Sequence, residues 1–358
     1  MFIRTAFDVL ETVEVTDYLR ADTHLYALTR CCLSVPIATA LERYVAFRNF
    51  LAYCKSLVNN MKELTVGKRV KLEDVEVLLN DSVRIHDQSY VEDVINSLVI
   101  GGRDKLQIIS DFDRTLTKQH VDGKPTLSSF CIFSQCSQLP TGYKEQDAAL
   151  CRHYRPIEID PHISREEKAK HMVNWYQEAE KLLSGFDFRI EELEQVIRKE
   201  GVELREGSNR MLESLRTADV PVLVFSAGLG DSVSAVLRYH NALLPNVHII
   251  SNYLQFNGLQ VNGFQGDIIH SFNKNQHAVE KSDYFKVLAC RKNVLLLGDE
   301  LGDAGMADGV QNPDSVLKIG FLYDRVEDRL EEFQNHFDIV LIDDQTMDVV
   351  NGILDLIL

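Results

Sequence analysis

Two aspartates stand directly after an apolar run near residue 110. The run Leu106 to Ile109 predicts a short buried strand, and Asp111 and Asp113 follow its end. Ligands of open α/β sheets bind beyond the carboxyl ends of the strands. Two carboxylates this close repel each other, so the pair favours a divalent cation or a shared proton. A surface turn is the alternative interpretation, because aspartate is common in turns.

A second apolar run ends in small and polar residues. The strand predicted from Val220 to Phe225 is followed by Ser226, Ala227 and Gly228, before a helix predicted from Asp231 to Tyr239. A hydroxyl group and exposed backbone amides at the start of a helix suit a phosphate group. A plain strand-turn-helix junction remains the alternative for this motif alone.

A third apolar run carries another pair of carboxylates. The strand predicted from Asn293 to Leu297 is followed by Asp299 and Asp303, four residues apart. Carboxylate oxygens at a strand end are the ligands that a hard divalent cation takes. Lys274 lies in the loop before this strand, and a lone loop lysine is ordinarily solvated.

Strands and helices alternate through most of the remaining chain. Further strands are predicted at 316–321 and 338–342, with helices between, which is typical of a parallel sheet covered on both faces. Roughly 90 residues separate Thr117 from the next strand, and helical spacing dominates them, so an inserted helical domain is expected. We predict an α/β core at 82–119 and 206–358 and a helical cap at 120–205. An N-terminal helical extension is predicted at 1–81, with an amphipathic helix at 36–61.

Net charge and cysteine content limit the classes of partner and the cellular compartment that we expect. The chain has 358 residues and a net charge of −16, which argues against nucleic acid or an anionic membrane as the main partner. The seven cysteines are odd in number and match no zinc spacing, and no secretory signal opens the chain. We therefore expect a cytoplasmic protein with reduced thiols and no transmembrane helix.

Four motifs occur in a fixed order: DFDRT, SAGLGD, FNKN and GDELGD. Together they resemble the motifs of the haloacid dehalogenase superfamily of phosphatases. The longer segments SVRIHDQSYVEDVINSLVIGGRDKLQIISDFDRTL, YRPIEIDP and LLLGDELGDAGMADGV resemble the cytosolic 5'-nucleotidase III family, the pyrimidine 5'-nucleotidases. The resemblance runs from about Ser82 to Leu358 and implies the Rossmann-like parallel sheet core of that superfamily.

The resemblance implies a role for each carboxylate. Asp111 would attack phosphorus and form an aspartyl-phosphate, and Asp113 would act as general acid and then as general base. Asp111, the backbone carbonyl of Asp113 and Asp299 would hold Mg²⁺. Asp303 would orient a metal-bound water or Lys274 from the second layer of contacts.

The same resemblance implies the phosphate and substrate contacts. Ser226, the amide at Ala227 and Lys274 would bind the phosphate oxygens. In the family a glutamate of the motif P-I-E-x-D-P recognises the base, and Glu158 occupies that position here. Trp175 and Tyr176 are candidates to stack on the base, and ordinary packing in the core of the cap is the alternative, above all for Trp175.

The implied activity is Mg²⁺-dependent hydrolysis of a nucleoside 5'-monophosphate, a small-molecule substrate. Arg114 and Ala179 depart from the family pattern, so the choice among CMP, UMP and 7-methyl-GMP stays open. Two other functions stay open as well. One is a phosphatase for another phosphomonoester, such as a phosphoamino acid, and the other is a non-catalytic scaffold that uses the N-terminal extension.

Overall fold

The computed structural model describes residues 69–160, 162–274, 291–308, 310 and 312–358. The amphipathic helix predicted at 36–61, and most of the predicted N-terminal extension, lie outside these residues. In the part of the chain that the structure describes, no helix has the length and apolarity needed to cross a bilayer.

The described strands lie in one large sheet and one small hairpin. They are β1 (Val83–Ile85), β2 (Leu106–Ser110), β3 (His120–Val121), β4 (Lys124–Pro125), β5 (Ser184–Asp187), β6 (Val222–Leu229), β7 (Val247–Asn257), β8 (Gln260–Gln265), β9 (Asn293–Gly298), β10 (Ser315–Leu322) and β11 (Ile339–Ile342).

The described helices cover the large sheet and fill the long stretch after β4. They are α1 (Gln88–Lys105), α2 (Ser129–Ser134), α3 (Tyr143–Ile159), α4 (Arg165–Leu182), α5 (Glu192–Glu200), α6 (Ser208–Thr217), α7 (Gly230–Tyr239), α8 (Val326–Gln334) and α9 (Asp348–Ile357), with 3₁₀ turns at Leu72–Asp74, Glu76–Leu79 and Leu301–Gly305.

The large sheet has nine strands in the order β1-β11-β10-β9-β2-β6-β7-β8-β5. Its central strands, from β11 to β7, are parallel, and antiparallel strands close both edges. Every residue of β2 and β9 is buried, as expected for strands covered on both faces. Neighbouring residues such as Ile108 and Ile109 belong to different hydrophobic clusters, one on each face. The predicted α/β fold class is confirmed.

Element boundaries differ from the sequence prediction at three places. β6 continues past Phe225 to Leu229, and its pairing with β7 shifts between these two residues. The helical pattern from Tyr90 to Leu98 predicts a helix that ends at Gly101 and Gly102, but α1 continues to Lys105, although Gly102 breaks its helical geometry with φ 63° and ψ −174°. β5, inside the stretch with helical spacing, pairs with β8. It was missed because its four residues include only the half-buried Phe186 as an apolar side chain.

Candidate active site

The ends of β2 and β9 bring three carboxylates together. The two strands are parallel neighbours, and the Asp111 amide donates a 2.9 Å hydrogen bond to the Leu297 carbonyl. Carboxylate oxygens of Asp111, Asp299 and Asp303 lie within 4.8 Å of one another. The fold therefore brings carboxylates from the ends of two separate strands into one cluster.

Lys274 lies inside this cluster and is only 3% exposed. Its Nζ donates to Asp111 Oδ1 at 2.5 Å and to Asp303 Oδ1 at 2.7 Å. Burial lowers the pKa of Lys274, but the charges of Asp111 and Asp303 outweigh burial and raise the pKa overall. The loop lysine is therefore a buried ammonium group, which links the first and fourth motifs through Asp111 and Asp303.

The cluster holds more negative charge than Lys274 balances. Burial raises the pKa of Asp111 to about 7, and the Asp303 charge adds to this, while Lys274 opposes it. Burial also raises the pKa of Asp299, as do the charges of Glu300 and Asp111. A buried set of carboxylate oxygens in mutual repulsion is suited to a hard divalent cation such as Mg²⁺.

The loop after β9 fixes Asp303. Its Oδ2 accepts hydrogen bonds from the Asp299 amide at 3.1 Å and the Glu300 amide at 3.0 Å, so each Asp303 oxygen has a defined partner. Gly298 permits this return of the chain, since a Cβ there would lie 2.4 Å from the Asp303 Cβ. Asp303 thereby joins Lys274 to the backbone of Asp299.

The Asp113 carboxylate is held outside the three-carboxylate cluster. Its Oδ1 accepts from the Ser129 amide at 2.7 Å and its Oδ2 from the Ser129 hydroxyl at 2.6 Å. Burial raises the pKa of Asp113, while both Ser129 bonds oppose the rise. Ser129 was missed because it lies 16 residues along the chain, at the start of α2, with no motif to mark it.

The tip of β6 approaches the same carboxylate. A Cβ at Gly228 would lie 1.9 Å from Ser129 Oγ and 2.9 Å from Asp113 Oδ2, so a side chain has no space there. Ser226, buried at 1% exposure, accepts a 3.0 Å hydrogen bond from the Gly228 amide. The Ala227 carbonyl accepts from the Tyr176 hydroxyl at 2.5 Å.

Asn252, on β7, secures this tip to a neighbouring segment. Its Nδ2 donates to the carbonyls of Ala227 at 2.9 Å and Ile269 at 2.8 Å, and its Oδ1 accepts from the Ile269 amide at 2.8 Å. Asn252 therefore connects the second motif to the segment that leads to Lys274. Sequence patterns do not mark Asn252, because a single asparagine in a polar hairpin has no characteristic spacing.

Glu158 lies near the end of α3, where its carboxylate is engaged on both oxygens. Oε1 accepts from the Ser271 hydroxyl, and Oε2 accepts from Arg155 Nη1 at 2.6 Å. The second terminal nitrogen of Arg155 bonds to Glu300, the residue after Asp299. A single side chain, that of Arg155, therefore connects Glu158 to the loop after β9.

Aromatic side chains from α3 and α4 pack against each other, and one of them reaches the tip of β6. Trp175 stacks on Tyr154 with ring centroids 5.6 Å apart and planes 11° apart. Tyr176 meets Phe130 edge to face at 5.9 Å, in addition to its bond to the tip of β6. Tyr176 is thereby fixed at both its ring and its hydroxyl.

Arg205 supports the loop after β2 and was also missed. This side chain is 1% exposed, and it donates from Nε to the Thr115 carbonyl at 2.8 Å and from Nη2 to the Arg114 carbonyl at 2.5 Å. Its guanidinium lies 3.9 Å from the centre of the Phe321 ring. Burial lowers the pKa of Arg205 to about 10, so the group stays charged at neutral pH.

The site has acidic side chains at the ends of neighbouring parallel strands and a buried lysine between them. This is the arrangement implied by the resemblance to phosphatases of the haloacid dehalogenase superfamily. The family model for pyrimidine 5'-nucleotidase (UMPH-1) matches residues 114–358. The chain therefore belongs to the pyrimidine 5'-nucleotidase family and is a 5'-nucleotidase, a phosphoric monoester hydrolase.

Individual relatives support this assignment. The chain is 44% identical to a 7-methylguanosine phosphate-specific 5'-nucleotidase of Drosophila melanogaster, over 83% of this chain and 93% of that protein. It is 42% identical to the Homo sapiens protein of the same name, over 80% of this chain and 96% of that protein. A crystal structure of cytosolic 5'-nucleotidase IIIB bound to cytidine matches with a TM-score of 0.78 and 44% identity, over 81% of this chain and 98% of that one. The predicted family, fold and enzyme class are confirmed.

Proposed function

We propose that this chain hydrolyses nucleoside 5'-monophosphates to nucleoside and phosphate, with Mg²⁺ as cofactor and an aspartyl-phosphate on Asp111 as intermediate. One observation carries the proposal. A buried Asp111 carboxylate contacts Lys274 at 2.5 Å and clusters with Asp299 and Asp303, two residues before a separately held Asp113. This arrangement supplies a nucleophile, a positive charge, oxygen ligands and a proton carrier at one edge of the sheet.

The first half of the reaction uses both aspartates of DFDRT. An Asp111 oxygen forms a bond to phosphorus while the bond from phosphorus to the nucleoside 5'-oxygen breaks. Asp113 gives its proton to the leaving oxygen. Burial raises the pKa of Asp113, which is the direction that favours its role as an acid.

The second half returns the enzyme to its starting state. Asp113, now ionised, takes a proton from a water molecule, and the water oxygen attacks phosphorus. The bond between Asp111 and phosphorus breaks, which releases inorganic phosphate and a free carboxylate. The two bonds from Ser129 keep the Asp113 oxygens in place through both proton transfers.

The acidic cluster suits Mg²⁺. Asp111, Asp299 and the backbone carbonyl of Asp113 would hold the ion, while Asp303 keeps its bond to Lys274. When bound, the ion offsets the repulsion between the attacking carboxylate and the phosphate dianion. Ser226, the amide at Ala227 and Lys274 would bind the phosphate oxygens.

The names of related proteins and the contacts of α3 and α4 support a nucleotide as the substrate. Names of related proteins include 7-methylguanosine phosphate and pyrimidine nucleotides, and the matched crystal structure contains cytidine. We propose that residues 120–205 act as a cap on the core formed by 82–119 and 206–358. Glu158 would accept a hydrogen bond from the base, as a carboxylate does from the cytosine amino group, and Tyr176 would line the base site. The name of cytosolic 5'-nucleotidase IIIB supports a cytoplasmic location.

A substrate panel tests the proposal. The full chain is assayed for phosphate release with Mg²⁺ on CMP, UMP, 7-methyl-GMP and phosphoserine, with and without EDTA. We expect preference for at least one nucleotide, loss of activity in EDTA, and loss of at least about 1,000-fold in kcat for Asp111→Asn. Equal rates on phosphoserine and nucleotides would refute the nucleotide claim. Unchanged phosphate release by Asp111→Asn would refute the assigned nucleophile.

A further inference from the structure

A chain of charged side chains joins α3 to the loop after β9. Arg155 Nη1 donates to Glu158 Oε2 at 2.6 Å, and Arg155 Nη2 contacts Glu300 Oε1. The other Glu300 oxygen accepts from Arg329 Nη2 at 2.7 Å, which extends the chain to α8. Glu158 is bonded at its other oxygen to Ser271. The order is therefore Ser271, Glu158, Arg155, Glu300 and Arg329.

Arg155 is the central member of this chain. Its guanidinium is a rigid fork, and each arm meets a carboxylate on a different segment. The carboxylates are shielded from solvent, with side-chain exposures of 13% for Glu158 and 27% for Glu300. Ion pairs screened from water hold their geometry better than exposed ones, and removal of one partner leaves the others unbalanced.

The two carboxylates that Arg155 joins belong to different tasks. Glu158 is the residue proposed to contact the base, and Glu300 directly follows Asp299, a proposed ligand of Mg²⁺. Glu300 also begins the 3₁₀ turn Leu301–Gly305 and shares its capping hydrogen bonds with Asp303. The Arg155 fork therefore links the proposed base site to the proposed metal loop.

We propose that Arg155 is a positioning residue that sets Glu158 for base recognition by anchoring it to Glu300 on the catalytic loop. The inference rests on the proposed function, because it concerns how the nucleotide base is read. Arg155 orients the Glu158 carboxylate through one arm and holds the α3 end against the β9 loop through the other. A substrate without a base has no use for this alignment.

Two substrates separate this role from a general structural one. Arg155→Gln is compared with the wild-type chain on a preferred nucleotide and on p-nitrophenyl phosphate, which lacks a nucleobase. We expect the KM for the nucleotide to rise about tenfold, as when one charge-assisted contact is lost, and kcat/KM for p-nitrophenyl phosphate to change less than about twofold. Arg155→Lys should also raise the nucleotide KM, because one ammonium cannot reproduce the fork. Arg152→Gln, the same change at an exposed arginine on α3, is the matched control and should leave both values unchanged.

A double-mutant cycle tests whether Arg155 acts through Glu300. If it does, Arg155→Gln combined with Glu300→Gln should raise the nucleotide KM no more than the larger single change. The inference would be overturned if the two changes multiplied in their effect on the nucleotide KM, or if Arg155→Gln left that KM unchanged. It would also be overturned if kcat/KM fell equally for both substrates together with the thermal midpoint. A wild-type chain that hydrolyses p-nitrophenyl phosphate but no nucleotide would instead refute the proposed function, and the inference with it.

Discussion

At the scale of single residues, the position of Asp113 depends on Ser129. Both carboxylate oxygens are bonded to this one residue, and the Leu229 amide in turn donates to Ser129 Oγ at 3.1 Å. Ser129 therefore touches the first motif and the tip of β6 together. A hydroxyl that both orients the proposed acid and contacts the proposed phosphate loop should influence the chemical step.

Ser129→Ala is expected to lower kcat by about tenfold or more. The variant keeps the backbone bond to Asp113 Oδ1 but frees Oδ2, so the proton is less well placed for the leaving oxygen. Ser128→Ala is the matched control, because Ser128 Oγ accepts from the Cys131 amide and caps α2 without contacting Asp113. That control should lose about 1 kcal/mol of stability with little change in kcat. Equal effects on kcat in the two variants would contradict the role given to Ser129.

His270 gives a pH dependence of stability. It is 3% exposed, and burial lowers its pKa to about 4 from the usual 6.5. His270 is therefore protonated more easily in the unfolded chain than in the folded chain. The stability that neutral His270 permits is fully present above pH 6.5 and is lost as the pH falls toward 4. The Asn273 side chain accepts from the His270 amide, and His270 Nδ1 accepts from the Phe272 amide.

His270→Asn removes the titration and keeps an acceptor near the Nδ1 position. Urea unfolding at pH 7 and pH 4.5 should show that wild type loses about 2 kcal/mol more than the variant. Other titrating groups are common to both proteins and cancel in this difference. A pH-independent difference between the two would show that His270 is not held neutral by burial.

The motif residues could be found from sequence because each directly follows an apolar run or belongs to a recognisable motif. Asp111 and Asp299 each follow a buried strand, and parallel neighbours place such residues side by side. Ser129, Arg155 and Asn252 act through contacts with distant segments and lie in no pattern of their own. Their roles depend on how helices and loops fold back over the sheet, which local spacing does not encode.

At the scale of elements, the loop after β2 is shaped by a buried cation from the segment before α6. Arg205 binds the carbonyls of Arg114 and Thr115, and Arg114 adopts a positive φ of 62°. The Arg205 amide donates to the Leu116 carbonyl at 2.8 Å, so backbone and side chain of one residue hold the same turn. This turn immediately follows Asp113, hence its shape affects where the carboxylate points.

Arg205→Met should destabilise the fold and slow turnover. Methionine fills similar space, but the carbonyls lose their donors in a region closed to water, which costs about 2–4 kcal/mol in total. Arg205→Lys keeps a charge but cannot serve both carbonyls, so an intermediate loss is expected. Urea unfolding and kcat measured on the same samples check this. Wild-type stability in the methionine variant would mean that the carbonyls find other donors.

The order of strands and helices was predictable at this scale, whereas some boundaries were not. Strong apolar runs marked β2 and β9, because strands buried on both faces contain little else. β6 extends further than its apolar run suggests, because Gly228 lets the chain pass close to Asp113. β5 depends on pairing with β8 rather than on its own composition.

At the scale of the whole molecule, folding concentrates negative charge at the strand ends. The chain carries a net charge of −16, and its fold buries Asp111 and Asp303 with the half-buried Asp299 around one ammonium group. Burial first, and repulsion from neighbouring carboxylates second, raise the pKa values of Asp111 and Asp299, so the ionised cluster is unfavourable without further positive charge. A bound cation would therefore reduce the repulsion between the carboxylates of the proposed active site.

Mg²⁺ should consequently stabilise the folded chain. A ligand that binds only the folded state adds about 2.7 kcal/mol at 100 times its Kd, which raises the thermal midpoint by several degrees. NaCl at matched ionic strength is the control, because screening alone affects a chain of this charge.

Asp299→Asn should be more stable than wild type without Mg²⁺, since one repelling charge is gone, yet should gain little when Mg²⁺ is added. Equal midpoint shifts in wild type and Asp299→Asn would show that Mg²⁺ binds elsewhere, and an equal shift with NaCl would reduce the effect to screening.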